Sequence, residues 1–222
     1  MSQIKHVLWT GGWDSTFRII QLYRLNATIQ PLYVVNDERV STKRELEAIE
    51  KITKGIQTQF IQSKGEILPL QIIKKQNIPS NILIKKIHKH LRRKVKLGKQ
   101  YYWLACLAKK YKSKNLELSL HKEDLDKFFV KEQLIEFKDE HLGSNWKINP
   151  KKVGFFKRQL FSNMVFPLID ISKIEMKAVS EKNGFYNLME LTWFCHNSDK
   201  KPCGDCPPCR QYVRDGFGFR LQ

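Results

Sequence analysis

Ile4-Lys5-His6-Val7-Leu8-Trp9-Thr10-Gly11-Gly12-Trp13-Asp14-Ser15-Thr16 is the stretch that decides the fold. A short apolar run over 4–9 reads as a buried strand. Two glycines turn the chain, and Phe17, Ile20, Leu22 and Leu25 then recur at helical spacing. Strand, glycine turn and helix in that order build an anion cradle. Glycines let the backbone approach a charged group closely and adopt positive φ. The first turn of the helix presents unpaired N–H groups and a partial positive charge. Thr10, Ser15 and Thr16 add hydroxyls, and Asp14 is placed to cap the helix or face a Mg²⁺ ion. Thr10, Gly11, Gly12, Asp14, Ser15 and Thr16 are therefore the candidate pyrophosphate-binding residues. No Gly-Lys-Ser/Thr follows, so this is not a Walker A loop. The third glycine of the dinucleotide fingerprint is also missing.

Outward from this turn, strands alternate with helices. Residues 29–35 form a second strand, ending at Val35, the candidate nucleotide contact on that strand. Residues 57–62 are expected as a third strand and 115–120 as a fourth. Helices are expected over 42–55, 80–96, 100–113, 122–141 and 172–183, with Ser172 as N-cap of the last. The segment 64–80 reads as an irregular excursion. This alternation predicts an α/β, Rossmann-like parallel sheet covered on both faces, binding ligands at the carboxyl ends of its strands. The expected organisation is an α/β domain over 1–190 that carries the anion cradle and a cysteine-bearing tail over 191–222 packed on it.

The 222 residues carry 40 Lys and Arg against 22 Asp and Glu, a net charge of +18. That balance, with 41% hydrophobic residues, excludes a disordered chain. Neither a membrane-length apolar run nor a secretory leader is evident, so a cytoplasmic protein is expected. Residues 67–116 hold 14 basic residues and no acidic one. An acidic protein or tRNA is the partner such a segment suggests; a solvated helical face in a lysine-rich chain is the plain alternative. Lys outnumbers Arg 30 to 10, which favours the plain alternative, because base recognition prefers Arg. The oligomeric state, homodimer included, is left open.

Four of the five cysteines crowd into Cys195-x7-Cys203-Gly204-Asp205-Cys206-Pro207-Pro208-Cys209. In a reducing compartment such spacing suggests a metal before a disulfide. Tetrahedral Zn²⁺ accepts four thiolates, and filling all four positions makes the site structural. An iron–sulfur cluster is the alternative; no other sign of redox chemistry accompanies it. Cys106, within Trp103-Leu104-Ala105-Cys106-Leu107, reads as a buried small hydrophobe.

The glycine turn resembles the Ser-Gly-Gly-x-Asp-Ser signature of PP-loop ATP pyrophosphatases, with Thr10 in place of the serine. Together with the cysteine cluster it resembles the 7-cyano-7-deazaguanine synthase (QueC) family across most of the chain. Arg44-Glu45-Leu46-Glu47-Ala48 is similar to that family's second helix. Phe166-Pro167-Leu168-Ile169-Asp170-Ile171-Ser172-Lys173 is similar to its Pro-Leu-Ile-Asp-Leu-Ser-Lys segment. Leu191-Thr192-Trp193-Phe194-Cys195 and Lys201-Pro202-Cys203-Gly204-Asp205-Cys206 resemble its zinc-site approach and knuckle. The resemblance implies a ligase using ATP, Mg²⁺ and structural Zn²⁺. It would adenylate 7-carboxy-7-deazaguanine and release AMP and pyrophosphate as an amide and then a nitrile form. On that reading Asp14, Ser15 and Lys173 are the candidate catalytic residues. Cys195, Cys203, Cys206 and Cys209 are the metal ligands. The small-molecule partner is a deazapurine.

The chain departs from the family pattern at Asn36-Asp37-Glu38-Arg39-Val40, at Lys99-Gln100 and over Glu123-Asp124-Leu125-Asp126-Lys127-Phe128. These positions fall where the acceptor pocket is expected. Family relatives in antiviral gene clusters are thought to couple a deazaguanine to a protein amine, and this chain is read as fitting that group as well. A tRNA-modifying PP-loop enzyme and a catalytically silent nucleotide-binding module are the competing classes. His121 and Asp124, just past the fourth strand, lie at the sheet edge expected for the site. His88 and His90 read as exposed members of the basic helix, and Trp193 as packing for the cysteine tail.

Overall fold

A computed structural model describes residues 4–35, 39–95, 97–111, 115–124, 129, 131–139 and 143–221. Its centre is a parallel sheet whose innermost strand is β1 (Lys5–Leu8). Helix α1 (Trp13–Arg24) leads from it to β2 (Thr28–Val35), and α2 (Thr42–Gln59) follows. Beyond β2 the edge is built from two short pieces, β3 (Glu66–Ile67) and β4 (Gln71–Lys74), both parallel to it. The chain then crosses back through α3 (Ile82–Arg92) and α4 (Gln100–Lys110) to β5 (Leu116–Glu117), on the other flank of β1. Strands β6 (Leu134–Asp139) and β7 (Gly143–Ile148) form a separate antiparallel hairpin. Helix α5 (Phe155–Phe161) leads to β8 (Met164–Val165), which pairs with β5. The order β3/β4-β2-β1-β5-β8 reverses between β1 and β5, which makes that gap the topological switch point.

Proline explains the divided edge. Ile29 accepts from Leu68 on the edge side of β2, whereas Leu32 accepts from Trp9 on the β1 side. Pro31 shares the parity of Ile29, so its missing N–H falls on the edge side, where a ladder bond is dispensable. Gln30 fills the break, its Nε2 donating to the carbonyl of Pro69 at 2.9 Å.

Side chains alternate across the sheet and feed two cores. Val7, Trp9, Ile29 and Tyr33 face one layer, formed with α1, α2 and the C-terminal tail. Leu8, Leu32 and Leu116 face the other, formed with α3, α4 and α5. Cys195, Cys206, Cys209, Tyr212 and Phe217 share the first core with Trp13 and Phe17.

The expected third strand over 57–62 is instead the end of α2 and a turn. Ile49, Ile52 and Ile56 are buried at helical spacing, whereas Ile61 is 78% exposed. The β-branched composition suggested a strand, but the 3.6-residue period governs. The segment 64–80 supplies the edge strands β3 and β4 rather than an irregular excursion. The helix expected over 122–141 is also corrected: residues 134–139 are strand β6. Ile135-Glu136-Phe137-Lys138 alternates with period two, and Gly143 takes φ +76° at the start of β7. Leu125 to Phe128 lie outside the described residues. The helix expected at 172–183 is α6 (Lys173–Lys182), with a capping box. Ser172 Oγ accepts from Glu175 N at 3.1 Å and Ser172 N donates to Glu175 at 2.7 Å. Two short helices close the chain, α7 (Tyr186–Glu190) and α8 (Pro207–Arg214).

A buried ion pair ties the hairpin to the sheet. Arg18 of α1 donates to both oxygens of Glu117, at 2.8 and 3.1 Å, and to Asn145 Oδ1 of β7 at 3.0 Å. All three are nearly inaccessible to water.

Candidate functional site

The glycine turn sits at the carboxyl end of β1, beside the switch point. Gly11 takes φ +69°, and a Cβ there would meet the carbonyl of Glu45 at 2.9 Å, so only glycine fits. Its own carbonyl accepts the backbone N–H of Trp193 at 2.9 Å, which ties the turn to the C-terminal tail. Gly12 is the N-cap of α1, with no side chain capping the helix. The first N–H groups of α1 are left for an anion. Thr10, Gly12 and Asp14 line the adjoining cleft together with Arg39, Glu45, Lys173 and Gln211. Ser15 is buried, its Oγ reaching Gly12 O at 3.4 Å. Thr16 is fully buried and accepts the Trp9 indole N–H at 2.9 Å, so its hydroxyl serves the core. Val35 ends β2 half-buried, just before residues 36–38, which are not described.

Three strand ends bring charge to one point. His121 follows β5 and bridges Leu168 beyond β8, extending that ladder. Lys173 opens α6 and is only 3% exposed. Its Nζ lies 2.7 Å from His121 Nε2, 3.6 Å from Asp14 Oδ1 and 3.5 Å from Asp215 Oδ2. Since the ammonium only donates, His121 Nε2 accepts, and its Nδ1–H is left to donate to Glu123 at 2.5 Å. Asp124 Oδ2 approaches His121 Nε2 at 3.2 Å. Burial disfavours the charged ammonium, but Asp14, Tyr212, Asp215 and Asp124 together outweigh it, and the Lys173 pKa is raised. Lys173 is thus a buried, permanent cation. Burial pushes Tyr212 up to about 12, so its phenol stays neutral. Burial also lowers His196, at the cleft wall, to about 4.

Asp14 Oδ1 and Asp215 Oδ2 are buried with no hydrogen bond, and both face the Lys173 ammonium at 3.6 and 3.5 Å. Two carboxylates against one ammonium leave a net negative charge that suits a hard divalent cation, and the open helix terminus suits a polyphosphate. The residues therefore fit MgATP, with Asp14 and Asp215 as the oxygen donors and the 10–12 backbone as the cradle.

The four cysteine sulfurs all lie within 4.8 Å of one another. Cys206 is 3.3 Å from Cys209 and 4.0 Å from Cys195, and Cys203 is 4.0 Å from Cys209. These separations bracket the roughly 3.8 Å edge of a tetrahedron with 2.3 Å metal–sulfur bonds. Gly204, at φ +81°, makes the knuckle turn. Backbone N–H groups of Cys203 and Cys206 point at the sulfurs of Cys195 and Cys203, both at 3.3 Å. The N–H groups of Cys206 and Asp205 lower the Cys203 thiol to about 7, while burial raises Cys195 and Cys209. Four thiolates so close together need a dication, and zinc fits the set.

Asp14 and Lys173 are therefore brought together, and His121 and Asp124 join them. Asp215, Gln211 and Arg39 are functional candidates that the sequence reading did not single out. Gln211 and Asp215 are four apart on or beside α8, a spacing that puts both on one helix face. Only the sheet topology shows that this face meets α6.

A parallel sheet with a glycine turn at its switch point and a C-terminal four-cysteine cluster defines a PP-loop nucleotide-binding fold with a candidate zinc site. The family model described as Queuosine biosynthesis protein QueC matches residues 5–217, and the chain belongs to that family. Its members are ATP-dependent enzymes of deazaguanine synthesis. No curated protein matches the chain significantly. Among the described residues no helix is long and apolar enough to cross a membrane.

Proposed function

We propose that the chain is an ATP-dependent ligase that adenylates a deazapurine carboxylate, 7-carboxy-7-deazaguanine or a close relative. The observation that carries this reading is the meeting of Asp14, His121 and Lys173 beside the glycine turn. In the proposed reaction a carboxylate oxygen attacks the α-phosphorus of ATP and the bond to pyrophosphate breaks. An amine then attacks the acyl carbon, AMP leaves with the carboxylate oxygen, and the amine loses a proton. If the amide is dehydrated, its oxygen leaves in the same way on a second AMP. A carboxylate is a poor acyl donor, and adenylation replaces its leaving group.

The chain's own groups have clear roles in this scheme. The backbone at 10–12 and the first turn of α1 hold the departing pyrophosphate. Lys173 supplies fixed positive charge where negative charge accumulates, and His121 orients it by accepting a hydrogen bond from its ammonium. Asp14 and Asp215 hold Lys173 in its charged form and would be the carboxylates to hold magnesium, which would neutralise phosphate charge. The cysteine site shapes the tail that supports the turn.

Incubation with 7-carboxy-7-deazaguanine, ATP, Mg²⁺ and ammonia, followed by chromatography and mass spectrometry, tests the reading. AMP and pyrophosphate, with an amide or nitrile, are expected. ADP as the sole nucleotide product overturns it. A second reading, coupling to a protein amine in a defence system, is favoured by the departures at 36–40, 99–100 and 123–128. A mass increase on a partner protein, without free nitrile, distinguishes it. A modified tRNA with the acid untouched identifies a tRNA-modifying enzyme instead.

A further inference from the structure

The basic segment 67–116 is one half of a larger arrangement. Residues 143–169 also lack any acidic residue and hold five basic ones. The two stretches together carry 19 Lys and Arg and no Asp or Glu, while the remaining residues hold 21 basic against 22 acidic. The entire surplus charge of the protein therefore lies in two stretches distant in sequence. The fold joins them: α3 and α4 from the first and α5 from the second pack together on one face of the sheet. Segments 1–66 and 170–222, which build the other layer, hold 17 basic against 14 acidic residues, so the surplus is not shared evenly between the layers.

The surface so formed is specific in its make-up. Lys85, Lys86, Lys89, Arg93 and Lys94 are exposed on or just past α3, and none makes an ion pair among the described residues. Lys151, Lys152 and Arg158 are exposed before and on α5. Phe155 and Phe156, 48% and 39% exposed, open α5. The Phe156 ring lies 4.7 Å from that of His90 on α3, and the Arg158 guanidinium sits over Phe155 at 5.9 Å. An acidic protein would complement the charge alone, whereas a nucleic acid complements both the charge and the exposed rings. Helices α3, α4 and α5 carry no carboxylate of their own, and such a surface suits a polymer of uniform negative charge. Lysines meet its phosphates as point charges, and exposed aromatic rings beside them accept bases.

We propose that the α3/α5 face binds a nucleic acid strand through its phosphate backbone, with Phe155 and Phe156 as stacking platforms. This goes beyond the ligase reading and stands independently of it. The surface is lysine-dominated, so the binding is weakly dependent on base sequence and steeply dependent on salt.

The test uses fluorescence anisotropy of labelled single-stranded RNA and DNA of about 20 nucleotides. Affinity for both is expected to fall on the order of 10²-fold as salt rises from about 50 to about 200 mM. The triple variant Lys86→Glu, Lys89→Glu, Arg93→Glu is expected to weaken binding at least about 10-fold and flatten the salt slope by about 2. Lys54→Glu, Lys177→Glu, Lys182→Glu, which changes net charge equally on the other layer, is expected to bind almost as the parent does. Phe155→Ala with Phe156→Ala is expected to weaken single-strand binding about 10-fold and spare duplex binding. Unchanged zinc content and thermal unfolding certify each variant as folded. No binding at the lowest salt overturns the proposal. So does equal loss in both triple variants, and so does tighter binding of polyglutamate than of RNA at matched salt.

Discussion

The two layers that cover the sheet differ in chemistry. The α1/α2 layer, with the C-terminal tail, contains the glycine turn and the four cysteines, and its charges are nearly balanced. The α3/α4/α5 layer contains the charge surplus and two exposed phenylalanines, and no cluster of candidate metal ligands among the described residues. The switch point between β1 and β5 is where the layers meet, and His121 and Lys173 stand there. Reaction chemistry needs buried groups whose charges are mutually fixed, as those around Lys173 are. Long-range attraction needs exposed groups of one sign, free of partners. One sheet separates these demands by assigning one to each face.

Removing a cysteine ligand is the largest expected blow to this division. Cys206→Ser should release the metal from a parent holding close to one zinc per chain, by elemental analysis. It should also uncouple the tail from the first layer. Structural zinc contributes on the order of 10 kcal/mol to folding, so a separate low-temperature unfolding transition of the tail is expected. Iron with a visible charge-transfer band in the parent contradicts the zinc assignment.

Breaking the join between layers ranks next. Glu117→Gln leaves Arg18 buried and unpaired, a loss of about 3–5 kcal/mol. Denaturant unfolding should show it as a lower midpoint. An unchanged midpoint means Arg18 finds another carboxylate.

Within the site, Asp14→Asn, Ser15→Ala or Lys173→Met should cut turnover by on the order of 10²-fold or more, with the fold retained. Gly11→Ala is smaller, about 1–3 kcal/mol of strain from a positive φ and a Cβ against the Glu45 carbonyl. The smallest expected effect concerns pH. The folded-state pKa of Lys173 lies above the ordinary 10.5. Its charge, and the stability its ion pairs supply, are present in full below that ordinary value and are lost only as pH rises through the raised one. Turnover should therefore show no falling limb from this group between roughly pH 8 and 10. A lysine-dependent limb there, absent in Lys173→Met, contradicts the geometry.

Much of the first layer was legible in the sequence because its signals are local. A glycine pair after an apolar run, and cysteines two residues apart, announce themselves within a few positions. The N-cap at Ser172 did so as well. The second layer and the hairpin were harder. Gln57-Thr58-Gln59, expected as the start of a strand over 57–62, stays in α2, because Ile49, Ile52 and Ile56 share one buried face. The period-two pattern in β6 was overridden by neighbouring charges that resemble a surface helix. Asp215 could not be placed from sequence, since its partner Lys173 lies 42 positions earlier and only the sheet brings them to 3.5 Å. The alliance of 67–116 with 143–169 is likewise a product of packing.

The hydrogen bond from Trp193 N to Gly11 O has a consequence for the order in which the molecule is made. The glycine turn leaves the ribosome before the backbone group that closes it, which arrives 182 residues later. At synthesis rates of roughly 5–20 residues per second, the turn waits on the order of 10–40 s for that partner. A nascent chain can pair β1 with β2 early, but its nucleotide cradle is completed only when the tail docks. A segment made early is thus finished late.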